Sequence, residues 1–330
     1  MTRQARVEKK TQRWARTRDT GNRSGGMLLG RAAHDTPGRI APPPWKWAFG
    51  RLIPRRIKPA LHAVLEYARP SCDPELRIVR SLCEPTRCSI DVGAMLGYYT
   101  WWLQLRSAHV WAFEPHPELH DKLRRGFGRK VTVLPFALSN FCGSAELFLS
   151  FSGAQQVFGC SSLEPDVNAE YTRAPIRVEV RRIDDIGIAN VGFIKIQAEG
   201  HEARVLAGGI KTIARDRPTL LVALQERHRP GIVAEVDALL QETGYRGWFI
   251  WDDALVPIAS FSPELHQKQT AVPRPGDRGR RHYAFWFFFF PNERREIPRQ
   301  VARRLRSAPP HGHRRDDRRV HNAAFLEGIR

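Results

Sequence analysis

An α/β fold with helices on both faces of a mostly parallel sheet is what this sequence predicts, and three observations predict it. Short apolar runs at 89–92, 109–113, 131–137, 193–196 and 219–224 alternate with stretches of helical period at 98–106, 117–127, 202–214 and 232–243. Such alternation marks βαβ units, because neighbouring parallel strands need a crossover and the crossover helix covers the sheet. The first strand runs into a glycine-spaced loop, and the second ends in a carboxylate, Glu114, placed 23 residues after Asp91.

The elements follow in order. Residues 1–45 mix Arg, Thr, Gly and Pro without apolar period and close on Ala41-Pro42-Pro43-Pro44, which predicts a disordered basic arm with a stiff end. Residues 46–86 read as a helical preamble: Leu61, Val64, Leu65 and Ala68 fall at helical spacing, and Pro70 ends the run. The α/β domain occupies 87–291, with extra strands at 145–150 and 176–182 inserted after the third. Near its end, 245–251 and 282–290 have no long helix between them and suit an antiparallel pair at the sheet edge. The expected count is seven strands, five parallel plus a C-terminal antiparallel hairpin. Residues 292–330 read as a basic, mostly disordered tail with a short helix around 299–306.

Charge separates body from tails. The chain of 330 residues carries a formal net charge of +19. Residues 1–59 hold 15 Lys and Arg against 3 acids, residues 291–330 hold 11 against 5, and the body between holds 27 against 26. A nucleic-acid enzyme would carry its excess on the folded domain, so no specific nucleic acid partner is expected. The tails suit only weak contact with an anionic surface. The longest strongly apolar stretch, 283–290, is 8 residues where a membrane helix needs about 20, and no apolar signal-peptide core is present. No transmembrane segment is expected, and a cytoplasmic location is. The 5 cysteines contain no CxxC pair, and no metal is expected. His116 and His120 have a metal-compatible spacing but no third ligand, which leaves them on a solvated helix face.

The segment Asp91-Val92-Gly93-Ala94-Met95-Leu96-Gly97-Tyr98 sits where open parallel sheets bind ligands, at the carboxyl end of a strand. Its G-x-x-x-G spacing matches neither a dinucleotide fingerprint nor a phosphate loop, and the acid ahead of it repels phosphate. Glu114, at the end of the second strand, is placed to accept from a ribose diol. Together these select an adenosine-bearing ligand without pyrophosphate, and S-adenosylmethionine fits. Past the fourth strand, Lys195, Glu199, His201 and Glu202 cluster on the same sheet edge. Glu199 or His201 is the candidate base for a hydroxyl acceptor, with Lys195 beside them.

Five segments, DVGAMLGYYT, FEPHPELHDKL, VLPFALSNFCGSAELF, RRIDDI and FIKIQAEGHEARVLAGG, taken in this order, resemble the FkbM-type methyltransferases. The resemblance covers roughly residues 80–291. It implies a seven-stranded class I methyltransferase fold, S-adenosylmethionine as donor, and transfer to a hydroxyl of a small-molecule or glycan acceptor, often a sugar, lipid or polyketide. By that likeness Asp91, Gly93, Gly97 and Tyr98 fall on the donor loop, Glu114 on the ribose acid, and Ser139 and Asn140 on the adenine side. Two positions depart from the pattern. Met95 replaces the Asn of GAN-x-G, and Gln197 replaces the Asp of KIDVEG. The alternatives are a catalytically weak or inactive donor-binding module, suggested by Gln197 and Met95, and a nucleic-acid methyltransferase, suggested by the tails.

Overall fold

A computed structural model of the chain describes residue 54 and residues 56–68, 74–268 and 283–307. The expected arm at 1–45 and the part of the tail past 307 lie outside the described residues.

Strand β1 (Cys88–Val92) is buried from its second residue on, and β2 (Val110–Phe113) and β3 (Val131–Leu134) follow beside it in parallel. Pro135 lacks an N–H to donate and separates β3 from β4 (Phe136–Leu138), so the single expected strand 131–137 becomes two. An inserted pair, β5 (Gly143–Ser152) and β7 (Thr172–Arg181), joins β4 and the two-residue β6 (Gln155–Gln156) in a separate four-stranded sheet, order β4-β7-β5-β6. Strands β8 (Val191–Ile196) and β9 (Thr219–Ala223) return to the main sheet, parallel to β1. Last come β10 (Tyr245–Trp251), β11 (Ala254–Pro257) and β12 (Trp286–Pro291).

The main sheet has eight strands in the order β11-β10-β12-β9-β8-β1-β2-β3. The expected seven are present, and β11 is an eighth at the edge. The expected antiparallel pair is present as β10 and β12, but its place in the sheet needs correction. β12 lies between β9 and β10, antiparallel to both, and the true hairpin is β10–β11. Its two-residue loop is Asp252-Asp253, both at positive φ (49° and 59°), the backbone that matches hairpin twist.

Alternation along the strands builds two cores. Ile194, Ile196, Phe287 and Phe289 face the helices Glu202–Ala207, Ile210–Asp216 and Ile232–Glu242. Phe193, Trp286, Phe288 and Phe290 face the helices Pro74–Leu82, Tyr98–Gln104, Pro117–Gly126 and Glu296–Ser307. The aromatic run of 286–290 is therefore a strand buried on both faces, each side chain contributing on the order of 1.5–3 kcal/mol. The expected helix 202–214 is two helices, broken at Gly208-Gly209. A Cβ on Gly208 would stand 1.9 Å from the Ser139 carbonyl oxygen.

One expected helix turns its predicted face outward. In Lys58–Tyr67 the buried residues are Pro59 and Ala63, while Val64 and Leu65 are exposed.

Candidate active site

The loop after β1 is built by close backbone approach. Gly93 has φ +71°, and a Cβ there would lie 2.0 Å from the Gln197 carbonyl oxygen, so only glycine lets the β1 and β8 ends pass. We expect Gly93→Ala to destabilise the fold by about 2–5 kcal/mol, from overpacking against backbone and the left-handed φ together. Denaturant unfolding checks this. A change under 0.5 kcal/mol on that scale contradicts the packing argument. Gly97, φ +81°, opens the helix Tyr98–Gln104, and a Cβ there would meet the Phe127 ring at 2.7 Å.

Below the loop lies a buried ion pair. Asp91, fully buried, accepts from the Thr100 hydroxyl at 2.6 Å, and its other oxygen lies 3.1 Å from Lys195 Nζ. Lys195 directs its hydrogens at the Val92 and Gly93 carbonyls, 3.0 and 2.8 Å away. The contact with Asp91 is thus charge attraction more than an aligned hydrogen bond. Asp91 and Lys195 are paired neighbours in the β1–β8 register, and together they brace the loop from beneath. Losing either partner would strand a buried charge, at about 3–5 kcal/mol.

A cleft opens at the carboxyl ends of β1, β2 and β8, with Gly93, Met95, Glu114, Gln197, Glu199 and His201 among its walls. Glu114, 5% exposed, accepts from the Met95 N–H at 2.7 Å and the His116 N–H at 3.0 Å. Burial pushes its pKa up to about 7, against the pull of those two donors. Met95, in the left-handed region at φ 51°, directs its N–H at that carboxylate. His116 caps the helix Pro117–Gly126 by accepting from the Glu118 N–H at 3.2 Å. Its ring packs edge-on against Phe158 at 5.3 Å, and Gln156 bonds its Nε2 at 2.7 Å. His116 is 6% exposed, which corrects the expectation of a solvated face. Burial lowers its pKa and keeps it neutral.

The β8 end brings a second acid into the cleft. Glu199 sits at φ 44°, another strained position of the kind that clusters at functional sites. Burial raises its carboxyl pKa, while Asn168, whose Nδ2 stands 3.5 Å away, and the Gln197 side chain act against the rise. His228 places Nε2 3.7 Å from the Glu199 Oε2. Arg227 donates to the Gln225 Oε1 at 2.8 Å, which turns the Gln225 amide nitrogen toward His228 Nδ1, 3.4 Å away. Nδ1 is then the acceptor, so the ring proton sits on Nε2 and faces Glu199. Burial drives His228 down to about 3, so it is a neutral donor at every physiological pH. Glu202, raised to about 8 by burial, accepts from the Ala198 and Gly200 N–H groups and holds the turn. His201 has both ring nitrogens engaged, Nδ1 with Glu164 at 2.7 Å and Nε2 with the Ser139 hydroxyl at 2.8 Å.

Of the residues singled out from sequence, Gly93, Met95, Glu114, His116, Gln197, Glu199 and His201 meet in this cleft. Six others stand apart from it. Asp91 and Lys195 lie beneath the loop, Gly97 faces Phe127, and Tyr98 approaches His62 with ring centroids 6.5 Å apart. Ser139 is buried behind His201, and Asn140 lines a separate pocket with Glu164, Asp166 and Arg204. His228 and Phe158 were not legible, since a lone His after a strand and a Phe in an insertion carry no spacing signal. Among the described residues no group of His, Cys, Asp and Glu could hold a metal ion, and no helix is long and apolar enough to cross a membrane.

No curated protein matches the sequence. Among solved structures, the chain resembles an FkbM methyltransferase of Methylobacillus flagellatus KT at 16% identity and a TM-score of 0.40, over 66% of this chain and 51% of that one. It therefore spans about half the length of that protein. An rRNA methylase of Streptococcus thermophilus matches at 8% identity, 66% and 93% coverage and a TM-score of 0.35. A putative methyltransferase of Streptococcus mutans, solved in complex with SAH, matches at 10% identity, 66% and 94% coverage and a TM-score of 0.34. The family comparison is direct: residues 91–246, which contain the loop after β1, Glu114 and the whole β8 end, match the methyltransferase FkbM domain. Over that span, a little under half of the chain, the sequence is similar to that family.

Proposed function

We propose that this protein is a cytoplasmic S-adenosylmethionine-dependent methyltransferase that methylates a hydroxyl on a small-molecule or glycan acceptor of sugar, lipid or polyketide type. The observation that carries the donor assignment is Glu114, a carboxylate buried in the cleft with two acceptor positions used by backbone N–H groups and the rest available to a diol. The Ser161 hydroxyl supports the fit: it lies in the same cleft wall, buried, with no hydrogen-bond partner among the described residues. The donor supplies an electrophilic methyl group.

The chain's own groups do the remaining work. Glu114 orients the ribose. Glu199 takes the acceptor proton, a role suited to a carboxylate with a raised pKa. The neutral Nε2–H of His228 faces the charge on Glu199, and the Gln197 amide adds no competing charge. Alignment of acceptor and methyl supplies a large share of the acceleration.

Radiolabelled methyl transfer across a panel of hydroxylated small molecules, with RNA as comparison, tests the reading. Transfer to a hydroxyl supports it. Donor binding without transfer to any acceptor favours the binding module, and transfer to RNA favours the nucleic-acid alternative.

The pH dependence of donor binding follows from Glu114. In the free protein its pKa is about 7, and hydroxyl donors favour the ionised form, so the bound pKa is lower. Below pH 7 binding must expel a proton. Affinity for S-adenosylmethionine should therefore rise from pH 6 to pH 8, approaching about tenfold per unit on the acid side, and level off above. A flat profile over that range contradicts the assignment.

A further inference from the structure

On the outward face of Lys58–Tyr67, Val64 and Leu65 are left uncovered by the described residues. Val64 is 49% exposed and Leu65 53%, with Ile57 at 52% just ahead of the helix and Leu105 at 44% after Tyr98–Gln104. Beside them a pocket is lined by Tyr67, Arg80, Ser81, Trp102, Arg106 and Arg304. The Tyr67 and Trp102 rings meet at 5.1 Å. The Trp102 indole N–H is buried with no acceptor among the described residues, a donor that an anionic oxygen would satisfy. Arg80 and Arg106 form no ion pair with any described carboxylate.

Charge extends this face. Arg56 and Lys58 lead into the helix, and Arg304 belongs to Glu296–Ser307. The two basic stretches of the sequence, 1–59 and 291–330, thus run into two of the four helices that border the pocket.

We propose that this face docks on an anionic lipid bilayer. Val64, Leu65 and Ile57 enter the boundary between headgroups and acyl chains, and a lipid phosphate sits against Arg80, Arg106 and the Trp102 N–H. Apolar residues beside unpaired guanidiniums match a surface that is anionic outside and apolar below. A second copy of the chain would bring like charges together. A nucleic acid would satisfy the arginines and leave the apolar residues in water. The inference is independent of which acceptor is methylated and of donor binding.

Co-sedimentation of the full chain with vesicles tests it, comparing pure phosphatidylcholine with phosphatidylcholine containing phosphatidylglycerol at about 30%, near physiological salt. Wild type should bind the anionic vesicles and not the neutral ones. Val64→Ser/Leu65→Ser and Arg80→Glu/Arg106→Glu should each weaken binding about tenfold or more, at unchanged circular dichroism, with both basic stretches intact. If both variants sediment like wild type, the basic stretches alone bind lipid and the proposal is overturned. Wild type that ignores anionic vesicles overturns it too, as does loss of RNA binding in the arginine variant with vesicle binding unchanged.

Discussion

Glu114→Ala should weaken S-adenosylmethionine binding by about 10–100-fold at pH 8. The variant removes a charge-assisted acceptor, worth on the order of 1.5–3 kcal/mol, and tenfold in affinity corresponds to about 1.4 kcal/mol. It also frees the Met95 and His116 N–H groups that the carboxylate holds, so part of the loss would come from loop disorder. Glu114→Gln separates the two effects. Its amide oxygen keeps an acceptor for one N–H but cannot ionise. Because burial holds the wild-type carboxyl near 7, wild type and Glu114→Gln should bind alike near pH 6 and diverge by pH 8. Calorimetry at both values decides, and equal affinities at pH 8 would remove Glu114 from the donor site.

The second large effect lies at the β8 end. Glu199→Gln should lower the rate of methyl transfer by roughly 10²–10⁴, the usual contribution of a positioned base. Gln197→Asp tests whether the departure from the family pattern is a defect. If the family-like Asp were needed for chemistry, restoring it would raise the rate. The geometry argues the opposite. The Gln197 side chain bonds Glu199 and favours its ionised form, whereas Asp at 197 would set a like charge beside it and raise the Glu199 pKa further. The expected result is a rate at pH 7 no higher than wild type, with the acid limb of the pH profile moved upward. Gln197→Asn is the control for size, and it should leave that limb in place. Single-turnover transfer measured from pH 6 to pH 9 distinguishes these outcomes. A rate gain with Asp alone would show that the missing charge matters.

The parts legible in the sequence were those that backbone geometry demands. Gly93 stands where a Cβ would strike the Gln197 carbonyl, and the acid at the end of β2 accepts from the Met95 and His116 N–H groups at the cleft. Asp91 shows the limit of such reading. An acid before a glycine loop invites a ligand role, but in the fold it faces Lys195 across one strand pair, both side chains buried. Each residue was visible alone, and only the parallel register makes them a pair. The same holds for His228, whose tautomer depends on Arg227 acting through Gln225. The eighth strand escaped because two aspartates at positive φ make its turn where glycine or asparagine would announce one. The apolar spacing of 61–68 did predict a helix, but spacing fixes a face and says nothing of what the face meets.

Titration of S-adenosylmethionine into the full wild-type chain by calorimetry at pH 8 tests the central claim, that the cleft at the ends of β1, β2 and β8 is a donor site. One saturable site with micromolar affinity is the predicted result, with S-adenosylhomocysteine competing for it. Folded protein that takes up neither compound at millimolar concentration would contradict the account.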